Sequence, residues 1–425
     1  MFFAYLLEHN RYLNVTGIVA ILAIAALFSK NRMQINIRLI FTALAMQFVV
    51  AFTVLRTSLG QAVLQCIAGA IKRLYEFADD GAGFLFGNLA NDFNTSWGFI
   101  FAVKVLPIII FFGAFMALLF HLRIVQACVA AISFVVRPIL GTSGAETLCA
   151  ISNSFLGQTE APLLVRDYLK NMSKSELFVV MVSGMGTISG AIMAVFAAMG
   201  VPATHMLAAS VMAIPGSILI AKILLPETKQ EIPGKQEAHV MLEPSSKNVF
   251  DAISKGTSDG LSLALNVGAM LISFLALLSL ANYVLSYGAY QLNFVLDFFG
   301  VIYRLPELTL DMIFAYLFAP FGMLLGFTGQ EVFAAGKLLG TKVAVNELVS
   351  YGQLVHMPEL SERTVSILTY ALCGFSNFSC IGIQVGGIGV LVPEKRQWLT
   401  ELGLYAVLGG ALTNLLSAMI AGLLL

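Results

Sequence analysis

Eight long stretches of this chain carry almost no charge, and they constrain its fold more than any other feature. A helix that crosses a bilayer needs about 20 mostly apolar residues. Stretches of this kind lie at residues 13–29, 36–55, 98–122, 177–199, 204–224, 261–285, 364–392 and 402–425. Because a segment in lipid must satisfy its backbone hydrogen bonds internally, they predict an all-α polytopic membrane protein with eight transmembrane helices.

The composition agrees with a lipid environment and excludes several classes of protein. Hydrophobic residues make up 58% of the chain and charged residues 11%, whereas a soluble domain has roughly 25% charged residues. With 24 basic and 24 acidic residues there is no overall basic field, so no nucleic-acid partner is expected. The residues before the first span lack the features of a signal peptide, so we expect that span to be retained. The cysteines lack metal spacing and indicate neither disulfides nor zinc; they are Cys66, Cys128, Cys149, Cys373 and Cys380.

The distribution of Lys and Arg predicts which side of the membrane each connection faces. Fifteen basic residues would share one side: Lys30, Arg32, Arg38, Arg123, Arg137, Arg166, Lys170, Lys174, Lys222, Lys229, Lys235, Lys247, Lys255, Lys395 and Arg396. Eight would lie on the other: Arg11, Arg56, Lys72, Arg73, Arg304, Lys337, Lys342 and Arg363. Lys104 falls within a span. By the positive-inside rule the richer side is the inside, and both termini face outward.

Two apolar stretches, 123–175 and 290–355, are interrupted by Gly, Pro and charge, and a common order of motifs runs from each into the span that follows. The first copy has Gly144-Ala145-Glu146, Leu156-Gly157 and Gly184-Met185-Gly186-Thr187-Ile188-Ser189, and the second has Gly329-Gln330-Glu331, Leu339-Gly340 and Gly374-Phe375-Ser376-Asn377-Phe378-Ser379. The charge distribution places the two copies in opposite orientations. Inverted repeats with interrupted helices are typical of secondary transporters, whose sites lie near the bilayer midplane. The alternative is chance similarity between helices rich in small residues.

Polar residues within these interruptions are candidates for a functional site. Gln158, Thr159 and Glu160 mark the tip of a predicted re-entrant hairpin, since such residues are tolerated at membrane depth only in protein or beside a wet cavity. A carboxylate at that depth is costly, so Glu160 and Glu347 are functional candidates. Alternatively, each lies at the water interface or pairs with a nearby base, Arg166 or Lys342.

The second repeat adds candidates for a ligand and an ion. Asn377 occupies the position of Thr187, as expected if two unwound helices face each other across one site. Phe375 offers an apolar face to a planar ligand, although a single Phe is usually core packing. The Thr187 hydroxyl and carbonyls near Asn153–Leu156 suit a hard cation. Thr187 bonding back to its own helix is the alternative, and the glycines of 370–389 are equally consistent with helix packing.

Three motifs in order give the chain a family resemblance from about residue 95 to its C-terminus. They are Gly157-Gln158-Thr159-Glu160-Ala161-Pro162-Leu163, Asn346-Glu347-Leu348-Val349 and Ala371-Leu372-Cys373-Gly374-Phe375-Ser376-Asn377-Phe378. The chain resembles a bacterial concentrative nucleoside transporter. The resemblance implies a homotrimer with eight crossings, two re-entrant hairpins and interfacial helices, which works as an elevator-type transporter in the inner membrane.

The resemblance also implies roles for individual residues. Gln158, Thr159 and Glu160 would contact the nucleobase beside Ile192, while Glu347 and Asn377 would hold the ribose hydroxyls and Phe375 would pack against the nucleoside. Cys380 stands where relatives often have Ser, which makes that ribose contact weaker. The implied sodium ligands are the carbonyls of Asn153, Leu156 and Ile188 and the side chain of Thr187.

These expectations combine into one functional hypothesis with two alternatives. The chain would import nucleosides by symport with Na⁺, without an organic cofactor; H⁺ coupling in the same fold and a channel are the alternatives. An enzyme is not expected, because the five histidines are isolated in the sequence. The expected units are N-terminal helices and an outside interfacial segment (1–97), a scaffold span and inside interfacial helix (98–140), the first repeat (141–225), an inside loop and long scaffold span (226–308), and the second repeat (309–425).

Overall fold

The computed structural model describes residues 2–91, 100–227, 246–300, 304, 306 and 308–425. Most of the predicted inside loop at 226–247, with Lys229 and Lys235, lies outside the described residues, as does the end of the predicted interfacial segment 57–97. What is described is built from helices. The prediction of an all-α membrane protein is confirmed.

Three groups of helices follow one another along the chain. The N-terminal group consists of α1 (Phe2–Leu7), α2 (Arg11–Leu27), α3 (Ile37–Arg56), α4 (Ser58–Phe86), α5 (Asn88–Asn91), α6 (Phe101–Lys104), α7 (Leu106–His121) and α8 (Ile124–Leu140). The first repeat and the long helix after it comprise α9 (Gly144–Asn153), α10 (Arg166–Leu169), α11 (Lys174–Gly186), α12 (Gly190–Ala198), α13 (Ala203–Leu224) and α14 (Val249–Phe298). The second repeat comprises α15 (Leu310–Leu324), α16 (Gln330–Ala344), α17 (Glu347–Leu354), α18 (Glu362–Leu372), α19 (Ser379–Leu391) and α20 (Arg396–Leu424). Short 3₁₀ helices cover Glu8–Asn10, Arg32–Gln34, Ala161–Val165 and Pro393–Lys395.

Seven helical segments in the described part of the chain are long and apolar enough to cross a membrane. They coincide with seven of the predicted spans, although the predicted span at 261–285 is the middle of a much longer helix, Val249–Phe298. The eighth predicted span, 364–392, is divided into α18 and α19. Its glycines and polar residues therefore mark a break in the backbone.

Members of the two predicted groups of basic residues lie at opposite ends of α20. At its start, Lys174 pairs with Glu401 at 2.6 Å, and Lys30 lies 4.8 Å from the ring centre of Tyr405. At its other end, Arg363 donates to the Gly422 carbonyl at 2.7 Å. A helix of this length, at about 1.5 Å per residue, spans a bilayer. The grouping of these basic side chains thus agrees with a membrane-crossing orientation.

The first hairpin begins with a capping box. Ser143 accepts a hydrogen bond from the Glu146 amide, and the Glu146 carboxylate accepts one from the Ser143 amide at 2.8 Å. This reciprocal pair satisfies two of the donors that a helix start leaves free. Glu146 also pairs with Lys222 of α13 at 2.7 Å, with both side chains buried. Hairpin 1 runs from α9 to α10. Its end opposite the tip is therefore fixed to the helix bundle.

The second hairpin, formed by α16 and α17, differs from the first in register. The structure contradicts the expected equivalence of Leu339-Gly340 with Leu156-Gly157: the former pair is inside α16, whereas the latter lies in the hairpin tip. A β-carbon at Gly340 would collide with Phe314 of α15. That glycine serves close helix packing, and the tip of hairpin 2 instead lies between α16 and α17.

Helices α7 and α14 pack backbone to backbone. A β-carbon at Gly113 would lie 2.6 Å from the Gly256 carbonyl oxygen, and one at Gly260 would lie 2.9 Å from the Ile110 Cα. Small residues at both faces let membrane helices approach this closely. The two helices therefore pack closely along this face.

Candidate functional site

The two broken helices meet at their breaks. Helix α11 ends at Gly186 and α12 begins at Gly190, while α18 ends at Leu372 and α19 begins at Ser379. The Phe375 amide donates to the Thr187 carbonyl across the two breaks at 3.3 Å. Unwound backbone in a membrane protein is tolerated where it is buried in protein or lines a wet cavity. The repeats thus bring their interruptions to one place.

A buried amide on α20 holds both breaks together. Asn414 donates to the Gly186 carbonyl at 2.7 Å and to the Cys373 carbonyl at 2.6 Å. Its Oδ1 accepts from Lys342 at 2.7 Å, and the same ammonium donates to the Ala371 carbonyl at 2.9 Å. Because helix C-termini carry partial negative charge, a buried ammonium beside them is electrostatically favourable. Lys342 is only 2% exposed, so the prediction that it lies in an outside connection is wrong.

A continuous run of hydrogen bonds joins the two hairpins through α19. Asn377 donates to the Glu347 carboxylate at 3.0 Å, and its own Oδ1 accepts from the Cys380 amide at 3.0 Å. The Cys380 thiol then accepts from the Gln158 amide at 3.2 Å. All four side chains are buried. One residue that the resemblance assigns to the base, Gln158, is therefore connected with the three that it assigns to the ribose.

The remaining candidates line the same region with fewer contacts. Thr159 covers Gly387 of α19, where a β-carbon would lie 2.8 Å from the threonine methyl group. Glu160 is exposed, and its carboxylate accepts only a long bond of 3.4 Å from the Gly157 amide. Ile192 is buried in the first turn of α12, and Phe375 is half-buried in the second break.

The alternative ion pairs of the two candidate carboxylates are not formed. Within the described residues, neither Glu160 nor Glu347 has a Lys or Arg nitrogen within 4.0 Å. Glu347 is only 6% exposed, whereas the Glu160 side chain lies at the surface of hairpin 1. A buried carboxylate can accept about four hydrogen bonds and so keeps acceptor capacity for a ligand beyond the bond from Asn377. Glu347 therefore has acceptor positions available to hydrogen-bond donors of a ligand.

Oxygen atoms of hairpin 1 and of α11 lie close together around Thr187. Its hydroxyl lies 2.9 Å from the Asn153 carbonyl and 2.8 Å from the Ser183 carbonyl, so its single hydrogen is shared between hairpin 1 and its own helix. Asn153 donates its amide to Ser183 at 2.9 Å, while its Oδ1 is buried with no hydrogen-bond partner. The neighbouring Leu156 and Ile188 are buried beside it. A buried oxygen without a donor is what a hard cation would use, and on Asn153 it is the side-chain oxygen that is free.

Three residues of this centre are not predicted from the sequence. The sequence pattern places Lys342 in an aqueous connection, Asn414 inside the predicted span 402–425 and Gln384 inside the predicted span 364–392. Gln384 donates to the Gln158 Oε1 at 3.1 Å and to the Met181 carbonyl at 2.9 Å. A polar side chain within an apolar span was the available signal. Its partner, however, is distant in sequence.

Comparisons with known proteins cover nearly the whole chain. Family models match in three consecutive parts: the N-terminus of Na⁺-dependent nucleoside transporters over residues 16–89, a nucleoside recognition domain over 102–203, and the C-terminus of Na⁺-dependent nucleoside transporters over 205–422. The chain is 39% identical to the nucleoside permease NupC of Helicobacter pylori, with 96% of this chain and 97% of the permease covered. It is 32% identical to human solute carrier family 28 member 3, over 98% of this chain and 60% of that protein.

Solved structures show the same architecture. CNTnw in an inward-facing substrate-bound state superposes with a TM-score of 0.88 at 37% identity, covering 97% of this chain and 98% of that one. A CNTnw variant in an outward-facing state gives a TM-score of 0.89 at 37% identity, with 97% of each chain covered. The motifs, the paired breaks and these similarities lead to one conclusion: the chain is a multi-pass membrane protein that belongs to the concentrative nucleoside transporter family, whose members transport nucleosides and are not enzymes.

Proposed function

We propose that this protein imports nucleosides into the cell by symport with Na⁺, using the centre formed by the two hairpins and the two broken helices. The observation that carries the proposal is the run of hydrogen bonds from Glu347 through Asn377 and Cys380 to Gln158, next to the oxygen group around Thr187. Groups suited to a sugar, a base and a cation thus lie side by side. The matched family of Na⁺-dependent nucleoside transporters supports the same assignment.

The substrate would bind between the two hairpin tips. Glu347 and Asn377 hold the ribose hydroxyls, because a carboxylate and an amide pair well with hydroxyl donors and acceptors. The base lies against hairpin 1 and the following broken helix, contacting Gln158, Thr159, Glu160 and Ile192, and Phe375 packs against the nucleoside. Cys380 holds Gln158 in place at 3.2 Å, so its contribution to ribose binding is secondary.

Sodium is the second substrate and would bind at the end of α11. The donor set is the free Oδ1 of Asn153, the Thr187 hydroxyl, and the main-chain carbonyls of Leu156 and Ile188. All are oxygens, which suits a hard cation. The C-terminal end of a half-helix adds partial negative charge at the same place. The Thr187 hydroxyl, which here donates to carbonyls, would turn its lone pairs toward the ion.

For the transport step we propose an elevator mechanism in a homotrimer in the inner membrane. The moving unit would contain both repeats, over residues 141–225 and 309–425, because α20 holds their breaks together through Asn414. The scaffold would contain residues 98–140 and 226–308, whose helices α7 and α14 pack through glycines. The substrate would cross with the moving unit while the scaffold stays fixed.

The test is uptake of radiolabelled uridine and adenosine by proteoliposomes with an imposed sodium or proton gradient. Wild-type protein should accumulate nucleoside with an inward sodium gradient, and Glu347→Gln and Asn377→Ala should each raise KM by roughly tenfold or more, the worth of one strong hydrogen bond. Glu362→Gln, an exposed carboxylate on α18, is the matched control and should behave as wild type. Uptake driven only by the proton gradient would replace sodium with H⁺ as the coupling ion. Nucleoside uptake that neither the sodium gradient nor the proton gradient changes would reject symport.

A further inference from the structure

Gln384 lies behind the proposed base site and holds one of its side chains. We infer that Gln384 fixes the orientation of the Gln158 side-chain amide, that is, the positions of its Oε1 and Nε2. The site would thereby select nucleobases that carry a carbonyl over those that carry an amino group at the same position. This inference rests on the proposed function, since it requires that Gln158 faces the base.

The anchor of this arrangement is a main-chain carbonyl. Gln384 is fully buried on α19, and its Nε2 donates one hydrogen to the Met181 carbonyl at 2.9 Å and the other to the Gln158 Oε1 at 3.1 Å. Met181 belongs to α11, the first half of the broken helix in repeat 1. Both hydrogens of the Gln384 amide are therefore used by fixed acceptors.

An amide oxygen and an amide nitrogen have nearly the same shape, so only their hydrogen-bond partners determine which of the two positions each atom occupies. A carbonyl oxygen can only accept, so the Met181 carbonyl requires the nitrogen of Gln384 to face it. That nitrogen in turn requires the oxygen of Gln158. Turning Gln158 over would set two donors against each other, and turning Gln384 over would set two acceptors against each other.

The packing leaves the two glutamines little freedom to rearrange. A β-carbon at Gly184 would lie 2.9 Å from both the Gln158 Cβ and the Gln384 Nε2. Both side chains thus rest directly on the backbone of α11. Gly184, which the sequence marked as part of a repeated motif, makes room for this contact.

The consequence is a donor of fixed direction at the hairpin tip. One hydrogen of the Gln158 Nε2 goes to the Cys380 thiol at 3.2 Å, and the second is not used by any described residue. A substrate atom that meets this hydrogen must accept. The C4 carbonyl of uracil and the C6 carbonyl of hypoxanthine accept, whereas the amino groups of cytosine and adenine would oppose one donor with another.

The experiment compares the KM values of two matched pairs, uridine against cytidine and inosine against adenosine, in proteoliposomes. Wild-type protein should prefer the carbonyl member of each pair. Gln384→Met keeps the volume and removes the donors, and should reduce each preference by roughly tenfold, the worth of one hydrogen bond. Gln384→Ala gives the same reading if the methionine variant does not fold. Gln397→Met, an exposed glutamine on α20, is the control for the substitution itself and should leave both ratios unchanged.

A double-mutant cycle shows whether Gln384 acts through Gln158. Gln158→Met should lose the same preference, and the double variant should lose no more than either single variant. Additive losses, an unchanged ratio in Gln384→Met, or a wild-type preference for cytidine would each overturn the inference. If wild-type protein takes up no nucleoside at all, it is the proposed function that fails. A ratio within one variant does not depend on how much protein is active, so a general loss of stability would not imitate the expected result.

Discussion

The amide of Asn153 uses only one of its two ends within the protein. Its nitrogen donates to Ser183 at 2.9 Å, whereas its Oδ1 is buried without a partner. A buried acceptor left unpaired is costly, and native proteins rarely keep one without a ligand, an ion or a water. The residue lies beside Thr187, whose hydroxyl contacts the Asn153 main chain at 2.9 Å. The free oxygen is therefore the atom whose removal best separates ion binding from helix structure.

We predict that Asn153→Ala raises the sodium concentration for half-maximal uptake by roughly tenfold or more, the loss expected for one ligand to a charged group. At saturating sodium the KM for uridine should stay close to that of wild type. The measurement is uridine uptake over a series of sodium concentrations at fixed ionic strength. Ser152→Ala is the control, because that buried hydroxyl only bonds back to Leu148 of its own helix. An unchanged sodium dependence would remove Asn153 from the ion site.

The Lys342 ammonium shows why residue-level partners could not be read from the sequence. Its position between two predicted apolar segments favoured an aqueous connection, yet it lies buried against Asn414, 72 residues away. The contact between Gln158 and Cys380 spans 222 residues. The motifs identified which residues are unusual, but only the packing of α16 and α19 against α20 and hairpin 1 decides which of them touch.

At the scale of elements, the interruptions of the apolar pattern were the most informative part of the sequence. Gly and polar residues within 177–199 and 364–392 predicted two broken helices, and the breaks are there. The exact correspondence between repeats was less predictable, because glycine has two uses. Gly157 belongs to a hairpin tip, whereas Gly340 lets α16 pack against Phe314. The sequence alone does not show whether a glycine belongs to a turn or to a helix contact.

We predict that Asn414→Ala destabilises the protein by about 3 kcal/mol or more, because it leaves buried carbonyls of both broken helices and the Lys342 ammonium without a partner. Lys342→Met should partly restore stability in the Asn414→Ala background, since it removes the uncompensated charge. The measurement is thermal unfolding in detergent of the two single variants and the double variant. Strictly additive losses would mean that Lys342 and Asn414 do not act as a unit.

At the scale of the whole molecule, the proposed ion and base sites share one hairpin. Asn153 and Leu156 lie five and two residues before Gln158 on hairpin 1, and the Gly190 amide donates to the Phe155 carbonyl at 3.1 Å, which joins the tip to α12. The far ends of the hairpin are held separately, by the pairing of Glu146 with Lys222 and by Lys395, which donates to the Leu169 carbonyl at 2.8 Å. An ion that orders the tip would therefore order the base site without moving the anchored ends.

This arrangement predicts positive coupling between sodium and nucleoside, and such coupling must be reciprocal. Saturating sodium should raise uridine affinity by about 5- to 150-fold, and saturating uridine should raise sodium affinity by the same factor. Calorimetry of uridine with and without sodium, and binding of radioactive sodium with and without uridine, measure the two factors on purified protein. Asn153→Ala should leave the two factors equal to each other and shift only the sodium concentration at which the coupling appears. If uridine binds to wild-type protein but neither ligand changes the affinity for the other, the tip of hairpin 1 does not connect the two sites. Coupling would then have to arise in the movement between the outward- and inward-facing states.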